Sequence, residues 1–336
     1  MFTSIFGSIE TGIIYAIMAL GVYLSFRILD FPDLTVDGSF VTGSAIAAVL
    51  IIGGTDPFVA TITALIAGFI AGCMTGLLHT FGKINNLLSG ILMMIALYSI
   101  NLRIMGRSNI PLLNEETIFM KISGISESWG INIIFNDILI SVGLGDSLPE
   151  TWGILLFMLV VTFVIKFLND WFFQTEVGLA IRATGDNKKM IRSFSANTNL
   201  LTIVGLGLSN ALVAFSGALI AQHGGFADVS MGIGMIIIGL ASVIIGETLF
   251  GTKTIARTTI AVIGGAIIYR IVVSLALRID FLDPGDMKLI TAVIVIFALT
   301  TPKVIERYKE KKRKARKRVE KLQREGGRYA SIKSDL

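Results

Sequence analysis

Runs of about 20 consecutive apolar residues leave this chain few ways to fold, because one such run wound as a helix matches the hydrocarbon thickness of a bilayer. Nine stretches qualify, at 8–29, 34–53, 57–80, 86–106, 151–170, 199–222, 230–250, 254–277 and 285–303. Glycine and proline punctuate them at Pro32, Gly53–Gly54, Pro57, Gly82, Gly224–Gly225 and Pro284–Gly285. Of the 336 residues, 53% are hydrophobic and only 16% are charged, against about 25% charged in a soluble domain. A soluble protein burying several such helices would need far more amphipathic sequence to cover them. The expected fold is therefore an all-α polytopic membrane protein with about nine transmembrane helices. The stretch 34–53 is the odd one. It begins with Asp33, Thr35 and Asp37 and ends in small residues, so it reads as a span or as a broken or re-entrant helix.

Charge sets the orientation. The overall +5 conceals a division: from Lys303 onward there are 14 Lys/Arg and 5 Asp/Glu, while the rest of the chain carries a net −4. A basic run beside a last span reads as a cytoplasmic anchor on anionic lipid. It has little aromatic interleaving beyond Tyr308 and Tyr329, so a nucleic-acid partner is not expected. The Lys166–Arg192 region, Lys253, Arg257 and Lys83 fall on the same side as that tail. The opposite side receives 278–286, with Asp280, Asp283 and Asp286, and the long 107–150 segment, with Glu115, Glu116, Glu127, Asp137, Asp146 and Glu150. The organisation expected is a permease-like membrane domain over 1–303 and a basic cytoplasmic tail over 304–336. Within the domain, 107–150 is external, and its INIIFNDILISV stretch (131–142) reads as a surface helix or hairpin. The N-terminus, MFTSIFGSIETG, lacks a basic lead and a small-residue cleavage site, so 8–29 reads as a retained span, with the N-terminus outside and the C-terminus inside.

Chemistry-bearing motifs are sparse. Cys73 stands alone, and His79 and His223 lack ligand spacing, which gives neither a disulfide framework nor a metal site. The nearest approach to a phosphate loop, Gly246 to Thr254, carries an extra Thr252 between its second glycine and Lys253, and it ends a span instead of following a strand. No cofactor and no enzymatic activity are expected. Gly68, Gly72 and Gly76, with Ala64 one turn earlier, make a small-residue stripe for close helix packing. Ionisable residues inside spans are functional candidates by default. Glu247 lies near the inner end of its span and Arg270 in the outer half of the next, too different in depth to pair. Arg270 reads as snorkelling outward, pairing with Asp280 or Asp283, or facing a pathway. Asp33 and Asp37 read first as caps at the mouth of the second span, and Asn85, Asn86 and Ser89 as the polar opening of the fourth. Asp33, Asp37, Asn85, Asn86 and Arg270 form the candidate pathway set.

Between two of these spans sits a charged island, EVGLAIRATGDNKKMIRSFSANTN, residues 176–199. It reads as an amphipathic helix opening at Val177–Gly178 and closing near Ser195–Asn199. Its charges require water, a soluble partner or an anionic lipid surface, and the residues alone leave these readings open.

The segment GLAIRATGDNKKMIRSFSANTN resembles the cytoplasmic segment of permeases in bacterial ABC importers for branched-chain amino acids, simple sugars and nucleosides. The family pattern, Gly-x-x-x-Arg-Ala-x-Gly-x-Asn, is met by Gly178, Arg182, Ala183, Gly185 and Asn187; its closing Gly-Ile-Asn is replaced by Ser195-Ala196-Asn197. Residues 9–40 and 234–269 resemble the family's first span and its late glycine-rich pair of spans. In detail the chain looks closest to a branch associated with amino-acid importers, aromatic amino acids included. The resemblance implies a type II importer permease in a bacterial plasma membrane, working with a second permease copy, a cytoplasmic ATPase subunit and an external substrate-binding protein. It implies that Glu176, Gly178, Arg182, Ala183, Gly185, Asn187 and Lys188 belong to the segment that couples to the ATPase. An ion-coupled secondary transporter is the alternative from another class. It calls for buried acids at mid-span and an internal repeat.

Overall fold

The first helix, α1 (Phe2–Tyr23), ends in a π-helical turn, Leu24–Ile28, and the chain then re-enters the protein instead of forming an open loop. This is a computed structural model, and it describes residues 2–141, 149, 151–277, 289–294, 296, 297, 300, 310 and 313. The helices that follow are α2 (Thr35–Ile52), α3 (Pro57–Thr80), α4 (Asn86–Met105), α5 (Ile118–Ser128), α6 (Ile131–Ser141) and α7 (Gly153–Phe172). After them come α8 (Glu176–Asp186), α9 (Lys188–Ser193), α10 (Thr198–Gly224), α11 (Met235–Phe250) and α12 (Ile255–Ala276). Two short strands, β1 (Asn109–Pro111) and β2 (Phe226–Asp228), pair antiparallel with Ile110 opposite Ala227.

Seven of the nine expected spans are helices long and apolar enough to cross a membrane, the first running Thr3–Ile28. The stretch 34–53 is an unbroken helix. The eighth expectation, 230–250, starts late: its helix is 16 residues long and opens only at Met235, because Gly234 before it has φ +89°. The ninth, 285–303, falls mostly outside the described residues.

Local chemistry explains the boundaries. Asp56, Asn85, Asn197 and Thr254 each accept backbone N–H bonds as N-caps of α3, α4, α10 and α12, and Pro57 occupies the first position of α3. Gly106 and Gly225 end α4 and α10 in the left-handed conformation, with φ 66° and 72°.

The helix α10 is the axis of the molecule, with α1, α2 and α3 against it. The stripe on α3 meets it directly. A β-carbon on Gly72 would run into the Leu206 carbonyl, one on Gly68 into Ala214 and one on Gly76 into Ile203, so these backbones approach as closely as small residues permit. Across the core, Ile14, Ile17, Met18, Phe40 and Val213 interlock. The pair α11–α12 closes in the same way, with Gly246 against Ala261 and Gly265 against Ser242. The most apolar windows of α1, α2 and α10 are 72% buried, those of α4 and α7 only 28%. Rows of exposed Ile62, Ile66 and Ile70 on α3 and of Val160, Val164 and Leu168 on α7 suit hydrocarbon. Inward polar links hold α7 in place: Lys166 and Asp170 pair at 2.6 Å, Thr259 of α12 donates to Asp170 at 2.8 Å, and Thr162 donates to the Ile13 carbonyl of α1 at 3.3 Å.

Candidate functional site

Two polar regions stand out, one at an end of the helix array and one inside it. At the end lies the island. The expectation of a single helix is corrected, because the chain makes two. Asn187, with φ −153° and ψ 90°, ends α8 and caps α9, accepting from Met190 N–H at 3.1 Å. Asn and Asp side chains compete with the backbone ladder in this way. Thr175 caps α8, accepting from Gly178 N–H at 3.2 Å. Glu176 sits exposed in the first turn, where the helix dipole favours a negative charge.

Glycine sets the seating of α8. A β-carbon on Gly185 would collide with the Ile28 carbonyl, and one on Gly178 with the Phe172 carbonyl. Ile181 and Thr184 are buried on the same inward face. The outward face is mixed: Val177, Leu179, Met190 and Phe194 are exposed, Phe194 by 74%, beside the exposed Lys189 and Arg192. Between α8 and the end of α1 runs an open groove of about 690 Å³, walled by Arg182, Ala183, Gly185, Arg27 and Asp30 among others. Lys188 turns away from it, its Nζ 3.5 Å from His79 Nε2. Partial burial pushes the Lys188 ammonium below the usual lysine range; Arg192 repulsion adds to this and Asp30 opposes it. Sequence reasoning missed Arg27 and Asp30. Arg27 forms a bidentate pair with Glu247 at the end of α11, with Nε 3.0 Å from Oε1. The signal was present, since Arg27 and Asp30 are the charges that close the first span.

The second region is assembled from single residues. Asp33 is 1% exposed; its Oδ1 accepts from Thr35 N–H at 2.9 Å and its Oδ2 from Asn210 Nδ2 at 2.6 Å. Asp37 caps a helix distant in sequence: its Oδ2 accepts from Gly234 N–H at 2.9 Å and its Oδ1 from Ile236 N–H at 2.8 Å, both at the start of α11. Two helix N-termini that begin inside the protein, those of α2 and α11, therefore each carry a carboxylate. Asn101 of α4, fully buried, donates to the Gly38 carbonyl at 3.1 Å.

The five candidate pathway residues do not converge. Asp33 and Asp37 share this region. Asn85 accepts from Leu87 N–H at 3.0 Å as the cap of α4, with Asn86 in its first turn. Arg270 lies elsewhere: its Nε is 3.3 Å from Thr11 Oγ1 and its guanidinium stacks 4.8 Å over the Tyr15 ring, beside a cavity of about 390 Å³. Asp280 and Asp283, its expected partners, lie outside the described residues. Asn101 and Asn210 were missed, because an amide within an apolar run has no sequence pattern. Among the described residues, no cluster of three or more His, Cys, Asp or Glu is arranged to hold a metal ion.

A family model described as "Branched-chain amino acid transport system / permease component" matches residues 4–300. The chain is 40% identical over 289 residues to a protein of Clostridioides difficile (strain R20291) named "Tyrosine transport system permease protein", covering 86% of this chain and 88% of that one. It is 32% identical over 300 residues to an uncharacterised protein of Rickettsia prowazekii (strain Madrid E), covering 88% of this chain and 96% of that one. No solved structure matches significantly.

Proposed function

The chain belongs to the family of branched-chain amino acid transport system permease components, and on that premise we propose that it is the membrane-spanning subunit of an ATP-driven amino-acid importer, with α8 and α9 receiving a separate ATPase subunit. The observation that carries this reading is the mixed outward face of the island. An interfacial helix lays its apolar side on the bilayer, but the inward side of α8 is already buried against the protein through Ile181, Thr184 and Gly185. What remains outside is Val177, Leu179, Met190 and Phe194 interleaved with cations, which suits a soluble partner with an acidic, partly apolar groove.

In this reading Glu176, Gly178, Arg182, Ala183, Gly185, Asn187 and Lys188 form the coupling element. Gly178 and Gly185 seat it, Asn187 bends it, Arg182 faces the groove shared with Arg27, and Lys188 holds it against α3. Movement of the island is transmitted directly, since Gly185 rests on the last turn of the first span. The chain then shifts between two packings beside a second permease copy, while an external binding protein delivers the substrate. The α8–α9 end and the C-terminal tail are cytoplasmic, and the membrane is a bacterial plasma membrane. The name of the C. difficile relative makes tyrosine the first substrate to test.

The test is uptake of labelled amino acids by vesicles holding this chain and its ATPase, with hydrolysis measured in parallel. Gly185→Leu and Arg182→Glu should insert normally yet cut uptake per ATP at least tenfold, since losing one partner of an interfacial charge pair costs about 2–5 kcal/mol. Uptake at the wild-type rate in both variants, or ATP hydrolysis by the isolated chain, would reject the reading. The buried carboxylate of Asp33 favours ion coupling as a second reading. That reading requires uptake driven by a proton or sodium gradient without ATP.

A further inference from the structure

Between α2, α4 and the segment 229–234 lies a cavity of about 340 Å³, within the range of small-molecule sites, roughly 300–1,000 Å³. Val41, Met94, Ile95 and Ile233 supply apolar walls, and Tyr98 adds an aromatic ring. The polar residues in the wall besides Tyr98 are Asp37 and Asn101.

Asn101 decides what the cavity selects. Its Nδ2 donates to the Gly38 carbonyl, and because a carbonyl only accepts, this contact fixes the orientation of the amide. The amide oxygen is left over, and this Oδ1 is buried without a hydrogen-bond partner among the described residues. Such atoms are rare in folded proteins and call for an explanation. Asp37 adds a carboxylate that the start of α11 holds through the Gly234 and Ile236 N–H groups, with acceptor capacity to spare. Among the described residues, no lysine or arginine lines the cavity. Acceptors at one end and hydrocarbon with an aromatic ring around them complement a cationic donor on an apolar body. The position agrees, because α2 and α11 both begin inside the helix array beside the cavity, and helix ends inside a transporter are where it holds its cargo.

The geometry points to this cavity as a binding site for the ammonium end of an amino acid with an apolar or aromatic side chain, a station on the route through the chain; the assignment rests on the amino-acid importer reading above. The ammonium faces the Asp37 carboxylate, with Asn101 Oδ1 the unpaired acceptor in the same wall, the side chain lies along Tyr98 and Ile95, and the carboxylate stays at the open mouth.

Saturation-transfer NMR on the full chain in lipid nanodiscs tests it, with L-tyrosine, tyramine and 3-(4-hydroxyphenyl)propionate as probes. L-Tyrosine and tyramine should bind, and the propionate, which has no ammonium, should not. Asn101→Leu should weaken binding about tenfold or more. Asn101→Leu also removes the donor to the Gly38 carbonyl, so a second variant that leaves that bond intact carries the test if the leucine variant fails to fold. Ile233→Trp, at an exposed position, should fill the cavity and abolish binding. Wild-type protein that binds neither amine, or binds the propionate equally, overturns the assignment; so does unchanged binding in Asn101→Leu and Ile233→Trp. If Ile233→Trp breaks up a dimer and leaves the ligand signal intact, the cavity is a subunit contact and the assignment also falls. ATP-driven uptake is read separately, so loss of this site with uptake preserved rejects the cavity alone.

Discussion

The island of α8–α9 and the buried cluster around Asp33, Asp37, Asn101 and Asn210 are both polar, yet they are built by opposite rules. The island packs its charges contiguously, in one run of 24 residues at one end of the helices. Few of its charges need a partner inside the protein, because water or a docking protein satisfies them, and Glu176 and Lys189 stand exposed. The cluster draws one or two residues from each of several helices, and each meets a partner across the interior: Asp33 with Asn210, Asp37 with the start of α11, Asn101 with Gly38. Without water, a buried polar side chain relies on a donor or acceptor supplied by the protein itself. Polar groups at the ends of a membrane protein can therefore arrive in runs, whereas those inside must arrive singly and in pairs.

The largest effect expected from this contrast is on stability. Asn210→Leu removes the donor to Asp33 Oδ2 and leaves that oxygen buried without its bond. The expected cost is about 2–3 kcal/mol, seen as a lower unfolding temperature in detergent. Lys189→Ala on the island should change stability by less than about 0.5 kcal/mol while impairing transport. Equal thermal shifts in the two variants would break the comparison.

The same contrast explains what could be read from the sequence. The spans were legible because bilayer thickness sets one length scale, and the seven long helices follow the expected boundaries closely. The island and its glycines were legible because they lie in one continuous motif. The break at Asn187 was not, since α8 and α9 read as one amphipathic pattern until the Asn187 side chain is seen capping the second helix. Asp33 and Asp37 were recognised as caps, but Asp37 caps α11, almost 200 positions away in sequence, and no local pattern reports a partner at that distance. Glu247 and Arg270 were rightly kept apart by depth, but the true partner of Glu247, Arg27, belongs to the first span.

That pair offers an intermediate test, because it links the two kinds of region. Arg27 is half exposed and borders the groove under α8, while the side chain of Glu247 is only 11% exposed. Glu247→Gln keeps a hydrogen-bond acceptor and removes the charge. Stability should fall by about 1 kcal/mol or less. The larger consequence should be functional, with fewer substrate molecules moved per ATP, because the end of α1 that Gly185 rests on is tied less firmly to α11. Coupling identical to wild type would show that the pair is an isolated surface contact and that the island does not act through it.

The smallest effect belongs to the opposite end, where Lys121 of α5 pairs with Asp56 at 2.6 Å, the side chains 27% and 45% exposed. The hydrogen bond from Lys121 is the main reason the Asp56 carboxyl lies below its ordinary value of 3.8, and the same contact raises the Lys121 ammonium. Asp56→Asn isolates the ion pair, because asparagine still caps α3 where Asp56 accepts from Phe58 N–H. A carboxyl whose pKa is depressed in the folded state contributes stability that is present above the unfolded value and is lost as pH falls through the folded one. Near neutral pH the variant should therefore exchange the backbone amides of α5 with deuterium faster than wild type, by a few-fold at most for an exposed pair. The difference should hold down to about pH 4, shrink as pH falls further through the lower folded value, and vanish once Asp56 is protonated in both states. A difference that persists unchanged at pH 2 would mean that the carboxylate charge is irrelevant and that the substitution acts through the cap.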